Sequence, residues 1–329
     1  MKTKLMSKSI VGILLIAFCL MYSVFCSAQS LTTGLVGYWK LDESSGDAAD
    51  CSGNNRTMTN EGSTPFASCL INNGGDLGTT AGSKYFGKTS ETFGVTSLTN
   101  ARSISMWVKL RTEAPTAAYP TGCYGINVWT TKINGGNAMS YGLDYGDGQI
   151  WGHTAGTKWL RAYQYGYNEY YAEYQIALGT TNWHHLVWTY AGNGTSNLKL
   201  YIDGSLVSQA NPSDGGSGWG VYPTSNRGFI GMDNTNTPGY FDEVGFWSRA
   251  LTAAEVTSLY NSGAGWQHPF IVATAPTVTT QAVSNITAIT ATGNGNVTSD
   301  GGATITERGV CWNTSSTPTT ADNKATSAG

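Results

Sequence analysis

The sequence predicts an all-β sandwich closed by one short helix, followed by part of a second β module. Three observations carry this expectation. In residues 182–208, NWHHLVWTYAGNGTSNLKLYIDGSLVS, large apolar residues recur at period two through Leu186, Trp188 and Tyr190, then through Leu198, Leu200 and Ile202. Gly192-Asn193-Gly194 and Asp203-Gly204 punctuate the run, and the second pair suits a tight hairpin because both residues tolerate positive φ. Such a meander must bury one face against something else. Composition agrees: 12% of residues are charged, against 42 Gly, 11 Trp and 18 Tyr, the profile of turn-rich, aromatic-filled sheets. The third observation is GYFDEVGFWSRALTAAEVTSLYNSG, residues 239–263, a strand running into a capped helix.

Taken in order, the chain opens on a leader. Lys2, Lys4 and Lys8 form a positive region, residues 10–24 are an apolar core, and Cys26-Ser27-Ala28 is a small-residue cleavage site. The apolar run is short for a membrane span, and bulky Phe25 stands where a lipid-modified Cys26 would want a small neighbour. Cleavage before Gln29 is therefore expected, giving a secreted protein without membrane insertion. That cleavage removes three lysines and no acids, taking the net charge from −3 to −6. A mildly acidic surface argues against nucleic acid as a partner.

Residues 35–41 read as the first strand, with Val36, Tyr38 and Lys40 on one face and Gly37, Trp39 and Leu41 on the other. Residues 42–60 are loop chemistry. Weaker strands are expected at Tyr85-Phe86 and 92–95, and a clear one in SISMWVKL, residues 103–110. Six tyrosines crowd between Tyr163 and Tyr174, with Trp151 and Trp159 just before. Two readings stand for this run. The rings fill the sandwich or shield an edge, or they form an exposed platform on which sugar rings stack, with Tyr165, Tyr167, Trp151 and Trp159 as the ligand-binding candidates.

Thr252-Ala253-Ala254-Glu255 is a capping box, Leu251 and Val256 suit a hydrophobic staple, and Gly263 suits the exit. A helix over 253–261 follows, with Val256, Leu259 and Tyr260 facing inward. Beyond a linker at 267–275 the texture turns Thr-, Ser- and Gly-rich, and three strands are expected at 277–283, 288–297 and 304–312. Three strands of this composition bury no core of their own, so the sequence reads as a fragment of a longer protein.

Four cysteines follow the leader: Cys51, Cys69, Cys123 and Cys311. An oxidising compartment permits disulfides, and Cys51–Cys69 is the first choice because both lie in one loop-rich stretch. That bond would contribute about 3 kcal/mol by the chain-entropy model.

Three ordered motifs carry a family resemblance. The Trp-His-His strand with Leu-Tyr-Ile-Asp-Gly, the closing Asp-Glu-Val with Arg-Ala-Leu, and the opening GLVGYWKLD together resemble laminin-G-like, concanavalin-A-like jelly-roll domains over residues 29–266. Residues 276–329 resemble the opening half of a fibronectin-III-like repeat of secreted bacterial surface proteins. The first resemblance implies a jelly-roll sandwich and a structural Ca²⁺ pinning the amino-terminal loop to the last strand. On this sequence the first loop offers Asp42, Glu43 and Asp50 and the last strand Asp242 and Glu243; the ligand candidates are Asp42, Glu43, Asp50 and Asp242, of which Asp50 and Asp242 match the family's acids.

Enzymatic relatives place acids on alternate residues of one strand as Glu-x-Asp-x-Glu, which this sequence lacks; a retaining pair would need roughly 5 Å between carboxylates. Glu169 and Glu173 have no third acid, and His184 and His185 open a strand on opposite faces. A secreted, non-catalytic recognition module binding a glycan or cell-surface partner is the expected function. An accessory domain of a larger glycan-active enzyme and a structural spacer or adhesin are the alternatives.

Overall fold

The computed structural model describes residues 13–18, 31–78, 84–89, 93, 100–111, 140–165, 170–192, 197–210, 227–232, 239–270, 274–302, 305–314 and 317–328. In chain order the strands are β1 Ile13–Phe18, β2 Leu35–Trp39, β3 Phe66–Ser68, β4 Asn73–Asp76, β5 Lys84–Thr89, β6 Arg102–Leu110, β7 Ser140–Asp147, β8 Lys158–Tyr165 and β9 Tyr170–Gln175. They continue as β10 His184–Tyr190, β11 Leu198–Ile202, β12 Ser205–Gln209, β13 Arg227–Met232 and β14 Gly239–Trp247. Helix α1 Ala253–Tyr260 precedes β15 Thr277–Ser284, β16 Thr292–Ser299, β17 Glu307–Trp312 and β18 Asn323–Ala328. The chain divides into two compact units, Cys26–Phe270 on one hand and Met1–Phe25 with Ile271–Gly329 on the other.

In the larger unit, eight strands form one sheet in the order β12-β11-β10-β6-β14-β4-β3, with β2 also paired to β14. β10, β11 and β12 are the expected meander, and Asp203 and Gly204 take φ of 49° and 78° at its second turn. β7, β8 and β9 form a three-stranded sheet, and β5 pairs with β13. Period-two alternation decides where each side chain goes. Leu186, Trp188 and Tyr190 enter one core with Ile104, Met106, Leu198 and Leu200, and that core includes Tyr141, Leu143, Tyr145, Leu160 and Ala162 of the three-stranded sheet. Each such fully buried apolar side chain contributes about 1.5–3 kcal/mol.

The other face of the large sheet is sealed separately. Tyr38, Val187, Tyr201 and Trp247 pack under Leu251, Val256 and Leu259, with Phe270 beside them. The capping box forms as the sequence predicts: Glu255 N donates to Thr252 Oγ1 while the Glu255 carboxylate accepts from Thr252 N. Tyr260 stacks on Trp107 at 5.7 Å between ring centroids. Among the described residues no helix is long and apolar enough to cross a membrane.

The structure departs from the expectations at several places, among them a later start for β17, at Glu307, and a fourth strand, β18, in the second module. β2 ends at Trp39, and a bulge against Phe246/Trp247 breaks its alternation, so Val36 and Trp39 both join the core while Tyr38 faces α1. Of the strand expected at 92–95 only Phe93 is described, buried in a turn, and the rest lies outside the described residues. β16 starts at Thr292, later than expected, because Thr287 and Thr290 close a turn through paired backbone and side-chain hydrogen bonds. Cys51 and Cys69 are separate free thiols, so the expected Cys51–Cys69 disulfide is not formed. Cys51 N donates to Tyr38 O beside β2, whereas Cys69 N donates to Asn72 O in the β3–β4 hairpin. Adjacency within one loop-rich stretch did not bring their sulfurs together.

Candidate functional site

The three-stranded sheet turns one face into the core, and its other face is half-buried, with Tyr163 only 7% exposed. Because Leu160 and Ala162 are core residues, alternation assigns Trp159, Arg161 and Tyr163 to the opposite face. Antiparallel pairing sets Gln175, Glu173 and Tyr171 of β9 directly across from them. On the β7 side, Gly146 faces Trp159 and Gly142 faces Tyr163. Beyond β7 a short 3₁₀ turn, Gly148–Trp151, is capped by Asp147, whose carboxylate accepts from Gln149 N at 3.0 Å. The returning chain lays the His153 ring flat on Trp159, with centroids 3.7 Å apart and planes within 8°.

Hydrogen bonds fix this plate. His153 Nε2 donates to Glu173 Oε2 at 2.9 Å, and Trp159 Nε1 donates to Thr157 Oγ1 at 2.9 Å. Arg161 sits 4.2 Å above the Tyr171 ring and 3.4 Å from Glu173 Oε1. The result is a half-buried aromatic plate edged by a guanidinium, a carboxylate and an imidazole. Such a surface can take the apolar face of a sugar ring and meet its hydroxyls at the rim.

Of the four ring candidates, Trp159 belongs to this plate, with one face covered by His153. Trp151 closes the 3₁₀ turn and Tyr165 ends β8 opposite Ser140; the side chains of both, and all of Tyr167, lie outside the described residues. Sequence reasoning missed His153, Arg161, Tyr171 and Glu173 as members. Their signal was the matched alternation of WLRAY and YAEY, legible only once the two are paired as a hairpin.

A second constellation lies where the amino-terminal loop meets β14. The ladder between β14 and β6 is bulged between Asp242 and Gly245, and Glu243 adopts φ of 51°, a left-handed conformation costing about 1–3 kcal/mol in a non-glycine residue. Asp242 is 0% exposed and Glu243 is 3% exposed. Asp242 Oδ2 accepts from Ile71 N at 2.9 Å, while Asp242 Oδ1 is buried with no hydrogen-bond partner, as is Glu243 Oε2. The Gln267 amide donates to both Asp42 Oδ2 (3.2 Å) and Glu243 Oε1 (2.7 Å), which brings a third carboxylate to the same seam.

Burial, followed by the neighbouring charges of Glu243 and Asp42, pushes Asp242 up to about 8. Burial chiefly, with the Asp42 charge, pushes Glu243 up to about 7. Of the four metal candidates, the structure joins Asp42 and Asp242. Asp50 is committed to its own loop, accepting from Tyr38 N, Ser52 N and Arg56 N. Glu43 accepts from Ala49 N, with Oε2 buried and unpartnered. Among the described residues no three Asp, Glu, His or Cys side chains form a ready-made metal cage. The donor types nonetheless fit a hard cation: carboxylate oxygens, two of them buried without hydrogen bonds.

The histidine pair is packing. His184 is held by Asp203 Oδ2 at 2.9 Å and Leu178 O at 2.8 Å. His185 shares a 2.8 Å hydrogen bond with Ser105 Oγ, both residues being buried, and burial pulls its pKa down to about 3. A neutral imidazole sealed between Trp107 and Tyr260 has no route to a substrate.

With this geometry in hand, similarity to known proteins can be placed. The family model described as the concanavalin A-like lectin/glucanases superfamily (Laminin_G_3) matches residues 85–257, more than half of the chain. No curated protein matches the chain. Among solved structures, domain 4 of AbnA, a GH43 extracellular arabinanase from Geobacillus stearothermophilus in complex with arabinotriose, is 18% identical with a TM-score of 0.45, covering 68% of this chain and 97% of that one. The binding domain of Paraclostridial Mosquitocidal Protein 1 is 15% identical with a TM-score of 0.42, over 71% of this chain and 53% of that one. A Trypanosoma rangeli sialidase in complex with 2,3-difluorosialic acid is 15% identical with a TM-score of 0.47, over 71% of this chain but 34% of its own length. Similarity this low assigns no ligand.

Proposed function

Because the chain belongs to the concanavalin A-like lectin/glucanases superfamily, we propose that it is a secreted, non-catalytic carbohydrate-recognition module with one structural Ca²⁺. The observation that carries the reading is the plate on the outer face of β7–β9: Trp159 stacked on His153 and rimmed by Arg161, Tyr171 and Glu173. The opposite side of that sheet is core and the far face of the large sheet is packed under α1, so among the described residues this half-buried aromatic face is the one that suits recognition. Glu173 is already engaged by His153 and Arg161, which suits a binding residue better than a general acid. The β module after residue 276, read as a fibronectin-III-like repeat, suits display of such a head on a surface array.

Ca²⁺ would be held by Asp42, Asp242 and Glu243, with Gln267 and main-chain oxygens of the first loop alongside. Bound there, it supplies the positive charge that three neighbouring carboxylates lack and ties the first loop to the last strand.

The glycan reading is tested by titrating wild type and Trp159→Ala with soluble pentose, hexose and sialylated oligosaccharides chosen from a glycan array. Stacking on one aromatic ring is worth about 1–2 kcal/mol, so the variant should bind roughly tenfold more weakly or worse. A binder whose affinity survives Trp159→Ala recognises glycan elsewhere. No binding to any glycan by the folded wild type would leave the spacer reading.

A further inference from the structure

The indole of Trp159, the ring to which a sugar stack is assigned, is already in contact with its own chain. Gly146, directly opposite Trp159 on β7, and Gly148 just beyond it are both buried. A Cβ at Gly148 would fall 2.7 Å from Cδ1 and Nε1 of the indole and 2.6 Å from Thr157 Oγ1. Glycine alone leaves room there, so the pyrrole edge of the ring packs closely onto β7. From the solvent side, the loop carrying exposed Gly152, Thr154, Ala155 and Gly156 brings in His153. Its imidazole lies flat on the indole, with centroids 3.7 Å apart and planes within 8°. That ring fills the space that the apolar face of a stacked sugar needs.

The backbone under this imidazole is fixed, but the imidazole itself is held lightly. His153 N donates to Gly148 O at 2.8 Å, and the Asp147 carboxylate ties the loop by accepting from Gln149 N at 3.0 Å and Gly156 N at 3.1 Å. The ring has the stack and one side-chain hydrogen bond, from Nε2 to Glu173 Oε2, and its side chain stays 28% exposed. Gly152 and Gly156 flank it with φ of 83° and 81°, and nothing lies within 4 Å of a Cβ added at either. Rotation about the His153 side-chain bonds therefore uncovers the indole without moving the loop. Glu173 is also paired with Arg161 at 3.4 Å, so its carboxylate keeps its place when the imidazole leaves.

We propose that His153 is an internal occupant of the glycan plate. In the free protein its ring covers Trp159; a sugar binds by displacing it, taking over the indole face and giving a hydroxyl hydrogen bond to the Glu173 carboxylate that the imidazole vacates. The inference rests on the glycan reading of the plate and adds its regulation. Since His153 competes with the ligand, the observed affinity is the intrinsic affinity reduced by the fraction of molecules in which the ring is swung out.

The test titrates wild type, His153→Ala, His153→Phe and Trp159→Ala with the same pentose, hexose and sialylated oligosaccharides. His153→Ala should bind roughly tenfold more tightly than wild type, and His153→Phe, which restores a flat cover, no more tightly than wild type. If Trp159→Ala weakens binding while His153→Ala weakens it or leaves it unchanged, His153 belongs to the platform; the cover is overturned and the glycan reading stands. Affinity that survives Trp159→Ala overturns both. Glycan bound by His153→Ala but not by wild type supports the cover, and binding by neither overturns it together with the reading. A second arm needs no glycan: 5-fluorotryptophan labelling, with the Trp159 fluorine resonance assigned from Trp159→Phe. Its shift between light and heavy water should be small in wild type and several-fold larger in His153→Ala. Equal shifts in the two proteins would overturn the cover whatever the titrations show.

Discussion

Two buried acids near the end of the larger unit were treated very differently by the fold. Glu255, 3% exposed, accepts from Arg249 Nη2 at 2.6 Å, Arg249 Nη1 at 2.9 Å, Thr252 N at 2.8 Å and Thr252 Oγ1 at 3.0 Å. Asp242, 0% exposed, takes backbone hydrogen bonds from Ile71 and Glu243, meets no counter-charge, and has the acids Glu243 and Asp42 for company. Burial is the same; supply is not. Around Glu255 the chain provides its own counter-charge and donors, and the acid is architecture. Around Asp242 it provides more negative charge, leaving a demand that a proton or a cation meets.

Breaking the satisfied site should cost most. Glu255→Gln strands the Arg249 guanidinium and weakens the capping box, and a loss of about 3 kcal/mol is expected in denaturant unfolding, with or without Ca²⁺. Asp242→Asn should do the opposite, leaving stability without cation unchanged or higher because a buried charge is gone. Wild type should gain about 2.7 kcal/mol at 100 times the Ca²⁺ dissociation constant, and the variant should gain almost none. A wild-type melting curve indifferent to both chelator and Ca²⁺ would return Asp242 to the same class as Glu255.

The contrast also fixes a pH dependence. Asp242 and Glu243, with folded values of about 8 and 7 against 3.8 and 4.5 ordinarily, hold protons in the native state that the unfolded chain has released. Their contribution is therefore complete below about pH 4 and is lost as pH rises through 7 and 8. His185 acts with the reverse sign, since its folded value of about 3 lies below the ordinary 6.5 and stability from it rises with pH up to that point. The window from pH 6.5 to 8 isolates the acids. In chelator, stability should fall there by roughly 1 kcal/mol per pH unit, and Ca²⁺ should flatten the slope. A flat profile in chelator would mean that the two acids are better solvated than their burial implies.

What the sequence disclosed follows the range of each interaction. The Asp203-Gly204 turn and the Thr252–Glu255 box are settled within four residues, and both form as read. Asp42 with Asp242 was legible through the resemblance. Glu243 was on offer beside Asp242 but left out of the ligand set, and period-two reasoning would send the two to opposite faces; the bulge at Asp242/Gly245, set by pairing with distant β6, buries both. Gln267 lies beyond α1 and reaches the seam by tertiary packing alone. Trp159 could be named from its aromatic run. Its partners Tyr171 and Glu173 required knowing that β8 pairs with β9, and His153 required the path of the intervening turn.

The smallest change makes the sharpest test of what the seam lacks. Gln267 is the side chain that donates across it, to Asp42 and Glu243 at once, so it stands where Arg249 stands for Glu255 but without the charge. Gln267→Glu removes that donor and adds a fourth acid. Without cation the variant should lose about 1 kcal/mol, the net worth of a typical hydrogen bond, and its decline between pH 6.5 and 8 should steepen. With Ca²⁺ the added carboxylate becomes a ligand, and affinity by calorimetry should rise a few-fold, because hard cations follow ligand charge and number. The two effects have opposite signs and one cause. If Gln267→Glu weakens the protein equally in chelator and in Ca²⁺, Gln267 is only a bridge between two acids, and the seam resembles the Glu255 site more than its orphaned oxygens suggest.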